Sequence, residues 1–192
     1  MASSVFILGG ARSGKSRFAV AERPRSARVA FVATARAADS DMARRITRHQ
    51  AERPRHWKTV EEPYALSARL AELEDAYDAV VVDCLTLWVA NRLLRGDPDD
   101  AILDEADALA TLIRRRATSF TVVSNEVGEG VHPETATGLR FRDLLGIVNQ
   151  KVAAACDRVV LMVAGVPLTL KAVTPPVPPS PWVGPRDARQ AP

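Results

Sequence analysis

Val5-Phe6-Ile7-Leu8 runs directly into Gly9-Gly10-Ala11-Arg12-Ser13-Gly14-Lys15-Ser16. The second stretch fits G-x-x-x-x-G-K-[ST] at every fixed position, and the first is a short apolar strand with nothing polar in it. Strand, glycine loop and Lys-Ser in that order predict a phosphate-binding loop, and with it a P-loop nucleotide-binding fold. Gly9 and Gly14 allow the tight turn that brings consecutive backbone N–H groups onto phosphate oxygens. Lys15 is placed to reach the β- and γ-phosphates, and Ser16 to put its hydroxyl on Mg²⁺. A helix beginning near Lys15 adds its positive N-terminal end. A chance glycine turn would have neither the strand before it nor the helical pattern after it.

Working outward from the loop, residues 15–22 read as a short helix that Pro24 stops. Residues 28–34 form a second strand. Asp39-Ser40-Asp41 offers N-caps for a helix over 41–52, and Arg53-Pro54-Arg55 breaks it. Residues 56–61 alternate as a strand does, and 63–74 follow as a helix with Pro63 in its first turn. Residues 79–85 are a buried strand carrying one acid, Asp83, near its end. Helices are expected over 86–94, 101–117 and 138–155, and strands over 120–124 and 158–164, with a small last strand at 168–170. Strands separated by helices predict an α/β fold: a mostly parallel sheet flanked by helices. In such a sheet ligands gather beyond the carboxyl ends of the strands. The phosphate loop, Thr34-Ala35-Arg36, Asp83 and the polar loop 125–130 should therefore share one rim.

A chain of 192 residues suits one domain, expected over 1–171. Seven of the thirteen prolines fall in residues 175–192, so 172–192 reads as a Pro-rich, disordered tail with no enzymatic role. The net charge of +3 comes with arginines spread along the chain. Without a basic stripe this means solvated surface and phosphate contacts, and no nucleic-acid partner. Cys84 and Cys156 each sit in an apolar element, as free buried thiols do in a reducing compartment. No apolar run approaches the ~18 residues of a transmembrane segment, and Met1-Ala2-Ser3-Ser4 opens no signal-peptide pattern. The expected location is cytoplasmic.

Asp83 stands where a Walker-B acid belongs, helping Ser16 hold Mg²⁺. It also reads as an N-cap for helix 86–94, and the two roles are compatible. Of the three histidines, His49, His56 and His132, a lone one is ordinarily surface or packing. His49 differs in its neighbours: Arg44, Arg45, Arg48, Arg53 and Arg55 could hold a triphosphate around it. A neutral imidazole can attack phosphorus and form a covalent phosphoramidate. Glu61 and Glu62 could accept from the N1–H and exocyclic amine of guanine, assist a metal, or simply solvate a strand end. The residues leave this open. Asn125-Glu126 and Arg140-Phe141-Arg142-Asp143 are further polar clusters, the last pair also reading as helix surface charge.

Beyond the phosphate loop the chain carries Ala33-Thr34-Ala35, Asp41-Met42-x-x-Arg45-Ile46-x-x-His49 and Arg53-x-x-x-Trp57-x-Thr59-x-Glu61-Glu62-Pro63. It continues with Asp83-Cys84-Leu85-Thr86-x-Trp88-x-x-Asn91, Ser124-Asn125-Glu126-Val127-Gly128 and Phe141-Arg142-Asp143-x-x-Gly146-x-x-Asn149-Gln150. This ordered set resembles the bifunctional adenosylcobinamide kinase/adenosylcobinamide-phosphate guanylyltransferases, from residue 5 to about Lys171. The resemblance implies a RecA-like P-loop core, a homotrimer and two reactions of cobalamin assembly. In the first, ATP or GTP phosphorylates the corrinoid adenosylcobinamide. In the second, GTP gives GMP to that phosphate through a GMP–histidine intermediate, releasing pyrophosphate. The histidine after Arg-Ile-x-x carries the GMP in the family, which implies His49 here. Some relatives have two adjacent histidines at this place, whereas this chain has Arg48-His49.

The resulting expectation is His49 and Lys15 as catalytic residues. Gly9 to Ser16, Thr34, Ala35, Arg36, Glu52, Arg53, Glu61, Glu62 and Asp83 are expected around the nucleotide, with Ser16 and Asp83 on Mg²⁺. Two rivals remain: a P-loop kinase of small molecules with a structural His49, and a RecA-like nucleotide-binding ATPase.

Overall fold

A computed structural model describes residues 2–24, 26–36, 50 and 53–172. Along the chain it has β1 (Ser4–Gly9), α1 (Lys15–Ala21), β2 (Val29–Ala33), β3 (Lys58–Glu61), α2 (Leu66–Leu73) and β4 (Ala79–Asp83). Then come α3 (Leu85–Arg95), α4 (Asp99–Arg115), β5 (Ser119–Val123), α5 (Ala136–Ala155), β6 (Arg158–Val163) and β7 (Val166–Lys171).

The strands make one sheet in the order β3-β2-β4-β5-β1-β6-β7. All pairs are parallel except β6 with β7, which is antiparallel. Residues of the central strands alternate between two cores. Phe6, Val32, Val82 and Phe120 face α2 to α5, where they meet Leu70, Trp88, Leu109, Leu145 and Val152. Val5, Ile7, Phe31, Val81 and Val160 face the side of α1, with Ala19, Trp57 and Met162. Covering both faces is why these strands read as unbroken apolar runs.

The α/β expectation and most elements hold, with differences confined to ends. The helix expected from Pro63 begins at Leu66, because Glu62 Oε1 accepts from the backbone N–H groups of Tyr64 (2.9 Å) and Ala65 (2.8 Å). The side chain holds that turn in place of a helical bond. The strand expected to 85 stops at Asp83, and Cys84 in extended geometry leads into α3. Helix α4 starts two residues early, at Asp99-Asp100 behind Pro98, as acids at a positive helix end favour. Strand β7 is longer than expected and is exposed throughout. The expected helix 41–52, apart from Gln50, and the tail from 173 onward lie outside the described residues.

Both cysteines are free and buried. Burial pushes the Cys84 thiol up to about 11 and Cys156 up to about 12, so both stay protonated as packing groups. Among the described residues no helix is long and apolar enough to cross a membrane.

Candidate active site

Strand β1 ends at Gly9, in a backbone conformation (φ +149°) with no room for a side chain. A Cβ there would stand 2.5 Å from the Met162 carbonyl oxygen and 2.7 Å from Ser13 Oγ. The chain then turns through left-handed Arg12 (φ 58°) and Gly14 (φ 96°) into α1. This succession of turns makes the loop a concave backbone cradle. Ser13 Oγ is buried in it with no hydrogen-bond partner among the described residues. Lys15 is buried and folds back over the loop, donating to the carbonyls of Gly9 (2.8 Å) and Gly10 (2.6 Å). Desolvation holds its pKa below the ordinary lysine range, partly offset by the nearby Asp83 carboxylate.

Ser16, in the first turn of α1, donates its hydroxyl to Asp83 Oδ2 at 2.9 Å. Asp83 ends β4, two strands from β1. It caps no helix: the N-cap position of α3 is Cys84, and no side chain caps it. A hydroxyl beside a carboxylate is a hard-oxygen pair of the kind that holds Mg²⁺ together with water and phosphate oxygens. No cluster of three or more His, Cys, Asp or Glu side chains able to hold a metal occurs among the described residues. The Ser16–Asp83 pair fits an ion shared with a nucleotide.

An open cleft of about 1670 Å³ spreads from the loop along the α1 face of the sheet. Ala11 to Ser16, Ala35, Glu61 and Asp83 all line it. So do Arg53, His56 and Trp57 on the β3 side and Asn125 on the β5 side. The Arg53 guanidinium stands over the Phe31 ring (3.4 Å to the centroid) and donates to Thr59 Oγ1.

Other expected residues are turned elsewhere. Thr34 is fully buried: its hydroxyl donates to the Cys84 carbonyl (2.7 Å) and accepts from the Cys84 N–H (2.9 Å). Its own carbonyl accepts from Asn91 Nδ2 at 2.7 Å. Thr34 thus ties the end of β2 to the end of β4, holding the rim on which Asp83 sits. Arg36 is exposed and lies over the Tyr64 ring, 5.6 Å from its centroid. Glu62 is engaged by the turn before α2. His49 and Glu52, with Arg44, Arg45 and Arg48, lie outside the described residues. Arg140 pairs with Asp99, and Arg142 with Asp143 and His132 Nδ1, so this cluster is helix surface away from the cleft.

Sequence reasoning passed over Ala164-Gly165, the β6–β7 turn, which lines the cleft. The Gly165 N–H donates to the Ser13 carbonyl at 3.0 Å, bracing the phosphate loop from the side. The glycine between two apolar strands was the available signal.

The family model described as cobinamide kinase/cobinamide phosphate guanyltransferase matches residues 5–170. The chain belongs to this family. Within it, the chain is 45% identical over 166 residues to the bifunctional adenosylcobalamin biosynthesis protein CobP of Pseudomonas aeruginosa, covering 86% of this chain and 95% of that one. It is 37% identical over 179 residues to the protein CobU of Escherichia coli, covering 87% and 99%. The CobU of Salmonella typhimurium stands at the same identity and coverage. Among solved structures, an ATPase of the type III secretion system of pathogenic bacteria superposes with a TM-score of 0.50 at 15% identity. That match takes in 83% of this chain and spans only half of the other, so what it shares is the fold.

Proposed function

We propose that this chain phosphorylates adenosylcobinamide and then guanylylates the product, through a covalent intermediate on His49. The observation that carries the reading is the family match over residues 5–170, coupled to a phosphate cradle with Lys15 and the Ser16–Asp83 pair beside it.

In the kinase step the aminopropanol hydroxyl of adenosylcobinamide bonds to the γ-phosphorus of ATP or GTP. The bond to the β–γ bridging oxygen breaks, and its electron pair leaves with the nucleoside diphosphate. In the second step an imidazole nitrogen of His49 bonds to the α-phosphorus of GTP and pyrophosphate departs. An oxygen of the corrinoid phosphate then displaces the histidine, giving adenosylcobinamide-GDP. Lys15 exchanges the Gly9 and Gly10 carbonyls for phosphate oxygens and offsets the charge of the transferring or departing group. Ser16 and Asp83 are the residues that would hold Mg²⁺, which supplies charge neutralisation on the phosphates when bound.

His49 stands four residues before Arg53, a residue of the cleft. Four residues span at most ~14 Å, and this short separation supports His49 as the nucleophile that the family implies. Glu61, exposed at the β3 edge of the cleft, is suited to the guanine edge. The exposed apolar side chains of β7, Val166, Leu168 and Leu170, support assembly into the homotrimer. The two free buried cysteines support a reducing, cytoplasmic setting.

The test is to incubate wild-type protein and His49→Ala with GTP labelled at the α-phosphorus. An acid-labile label on the wild type alone is the expected result. A label of equal amount on His49→Ala would remove this histidine from the mechanism. A monofunctional kinase would take up no label in either form.

A further inference from the structure

Asn125 follows β5, the strand that lies between β1 and β4 in the sheet. It therefore stands between the phosphate loop and Asp83, on the opposite side of the cleft from Arg53, His56 and Trp57. Its backbone is fixed at consecutive points. The Asn125 N–H donates to Thr86 Oγ1 (2.8 Å), and the Asn125 carbonyl accepts from Asn149 Nδ2 (3.1 Å). The next N–H, of Glu126, donates to the carbonyl of Gly9 in the phosphate loop (3.3 Å). Asn149 is itself buried on α5, and its Oδ1 has no partner among the described residues, while its Nδ2 holds the Asn125 carbonyl. The Asn125 carboxamide, by contrast, is half-buried, lines the cleft and makes no hydrogen bond to another described residue. A rigidly held backbone thus presents one unengaged donor–acceptor group to the phosphate end of the cleft.

We propose that Asn125 is a catalytic residue of the kinase step alone, orienting the attacking hydroxyl against the γ-phosphorus, with Asn149 as its positioning residue. The inference rests on the kinase half of the function proposed above. A carboxamide suits the task because it is bifunctional: Oδ1 accepts from the attacking hydroxyl while Nδ2 donates to a γ-phosphoryl oxygen. In phosphoryl transfer little covalent chemistry is asked of the protein, and orienting the nucleophile is one of its main contributions. A carboxamide keeps no proton. As the hydroxyl oxygen bonds to phosphorus and the bridging oxygen leaves with the diphosphate, the hydroxyl proton passes to a phosphoryl oxygen and on to solvent. The guanylyl step differs in its chemistry. Its attacking groups, an imidazole nitrogen and then a phosphate oxygen, bring no hydroxyl for Oδ1 to orient, and they meet the α-phosphorus in place of the γ-phosphorus, so Asn125 should not take part in it.

The experiment compares wild type with Asn125→Ala, Asn125→Gln and Asn149→Leu in three assays. These are γ-phosphoryl transfer to adenosylcobinamide, guanylyl transfer from GTP to pre-formed adenosylcobinamide phosphate, and hydrolysis of ATP without a corrinoid. Asn125→Ala is expected to lower the kinase kcat about 100-fold, as loss of one transition-state hydrogen bond does, with little change in nucleotide KM. Guanylyl transfer should stay within about 3-fold of wild type. Asn125→Gln should recover part of the kinase rate. Asn149→Leu keeps the branched heavy-atom skeleton and should lower kinase kcat less than Asn125→Ala, again without slowing guanylyl transfer, a split that general loosening of the fold would not give. Asn125→Ala with a wild-type kinase rate, or with both steps slowed equally, overturns the proposal and leaves the two-step reading standing. A wild type that ignores adenosylcobinamide but hydrolyses ATP in an Asn125-dependent way sinks the substrate assignment and supports the role of Asn125. A wild type that transfers the γ-phosphoryl group neither to corrinoid nor to water overturns both.

Discussion

Ser16 Oγ and Asp83 Oδ2 lie 2.9 Å apart although 67 residues separate them in the chain. One comes from the first turn of α1 and the other from the end of β4, so the sheet order itself assembles the pair. In the proposed Mg²⁺ site, two oxygens held together before nucleotide arrives would lower the entropic cost of completing the coordination. Asp83→Asn keeps the shape and removes the charge. It should lower both transfer rates about 100-fold and weaken the dependence on Mg²⁺. Mg²⁺ titrations of the rate check this, and an unchanged titration curve would take Asp83 out of the metal site.

Lys15 carries a pH signature. Burial lowers its pKa from the ordinary value of 10.5, and bound phosphates would raise it again. Nucleotide affinity is therefore full below the lowered pKa and falls as the pH rises through it, before an exposed lysine would lose its proton. Calorimetric titrations between pH 7 and 10.5 should show the weakening together with proton uptake on binding. Lys15→Ala should abolish the pH effect and slow both steps; a flat affinity in the wild type contradicts this role.

Thr34 is expected to act on stability, not on nucleotide contact. Thr34→Val removes a hydroxyl that pairs with both the N–H and the carbonyl of buried Cys84. The cost should be about 1–3 kcal/mol, or roughly 2–10 °C in Tm for a chain of this size. A variant with native Tm and a raised nucleotide KM would instead make Thr34 a ligand contact.

Gly9 tests the cradle sterically. A Cβ would meet the Met162 carbonyl oxygen at 2.5 Å, a backbone atom that cannot step aside alone. Gly9→Ala should push β6 away from β1 and distort the loop, lowering Tm and nucleotide affinity together. Gly10, with nothing within 4 Å of its Cβ position, should tolerate alanine far better. Equal behaviour of the two variants in thermal melts and nucleotide titrations would show that the crowding at Gly9 is not what holds the loop.

Asp97 provides a stability test outside the site. Hydrogen bonding from Arg95 is the largest influence and, with help from Arg92, lowers its pKa to about 2 against the opposing effect of burial. Its carboxylate thus contributes stability above about pH 4 that is lost as pH falls towards 2. Asp97→Asn should cost about 1–2 kcal/mol at pH 7, after allowance for solvent screening, and almost nothing near pH 2. Denaturant melts at the two pH values check it; a cost that does not shrink with acid would locate the effect elsewhere.

The sheet was legible because its strands are buried on both faces, which leaves runs such as Val80-Val81-Val82 unbroken in the sequence. The phosphate loop was legible because its glycines and Lys-Ser are fixed by backbone geometry. Thr34 and Glu62 were harder. Both sit at strand ends on the ligand rim, where proximity to the site and support of the site give the same local pattern. Only the long-range bonds to Cys84, and the turn before α2, separate the two roles. Gly165 was missed because its partner, Ser13, is 152 residues away and no local pattern encodes that contact.

The central claim is that one cleft serves two phosphorus centres in succession. Its most direct test is to incubate purified protein with adenosylcobinamide, GTP and Mg²⁺ and to identify the corrinoid products by mass over time. The account predicts adenosylcobinamide phosphate first, then adenosylcobinamide-GDP with release of pyrophosphate. Accumulation of the phosphate alone, or an unmodified corrinoid, would contradict it.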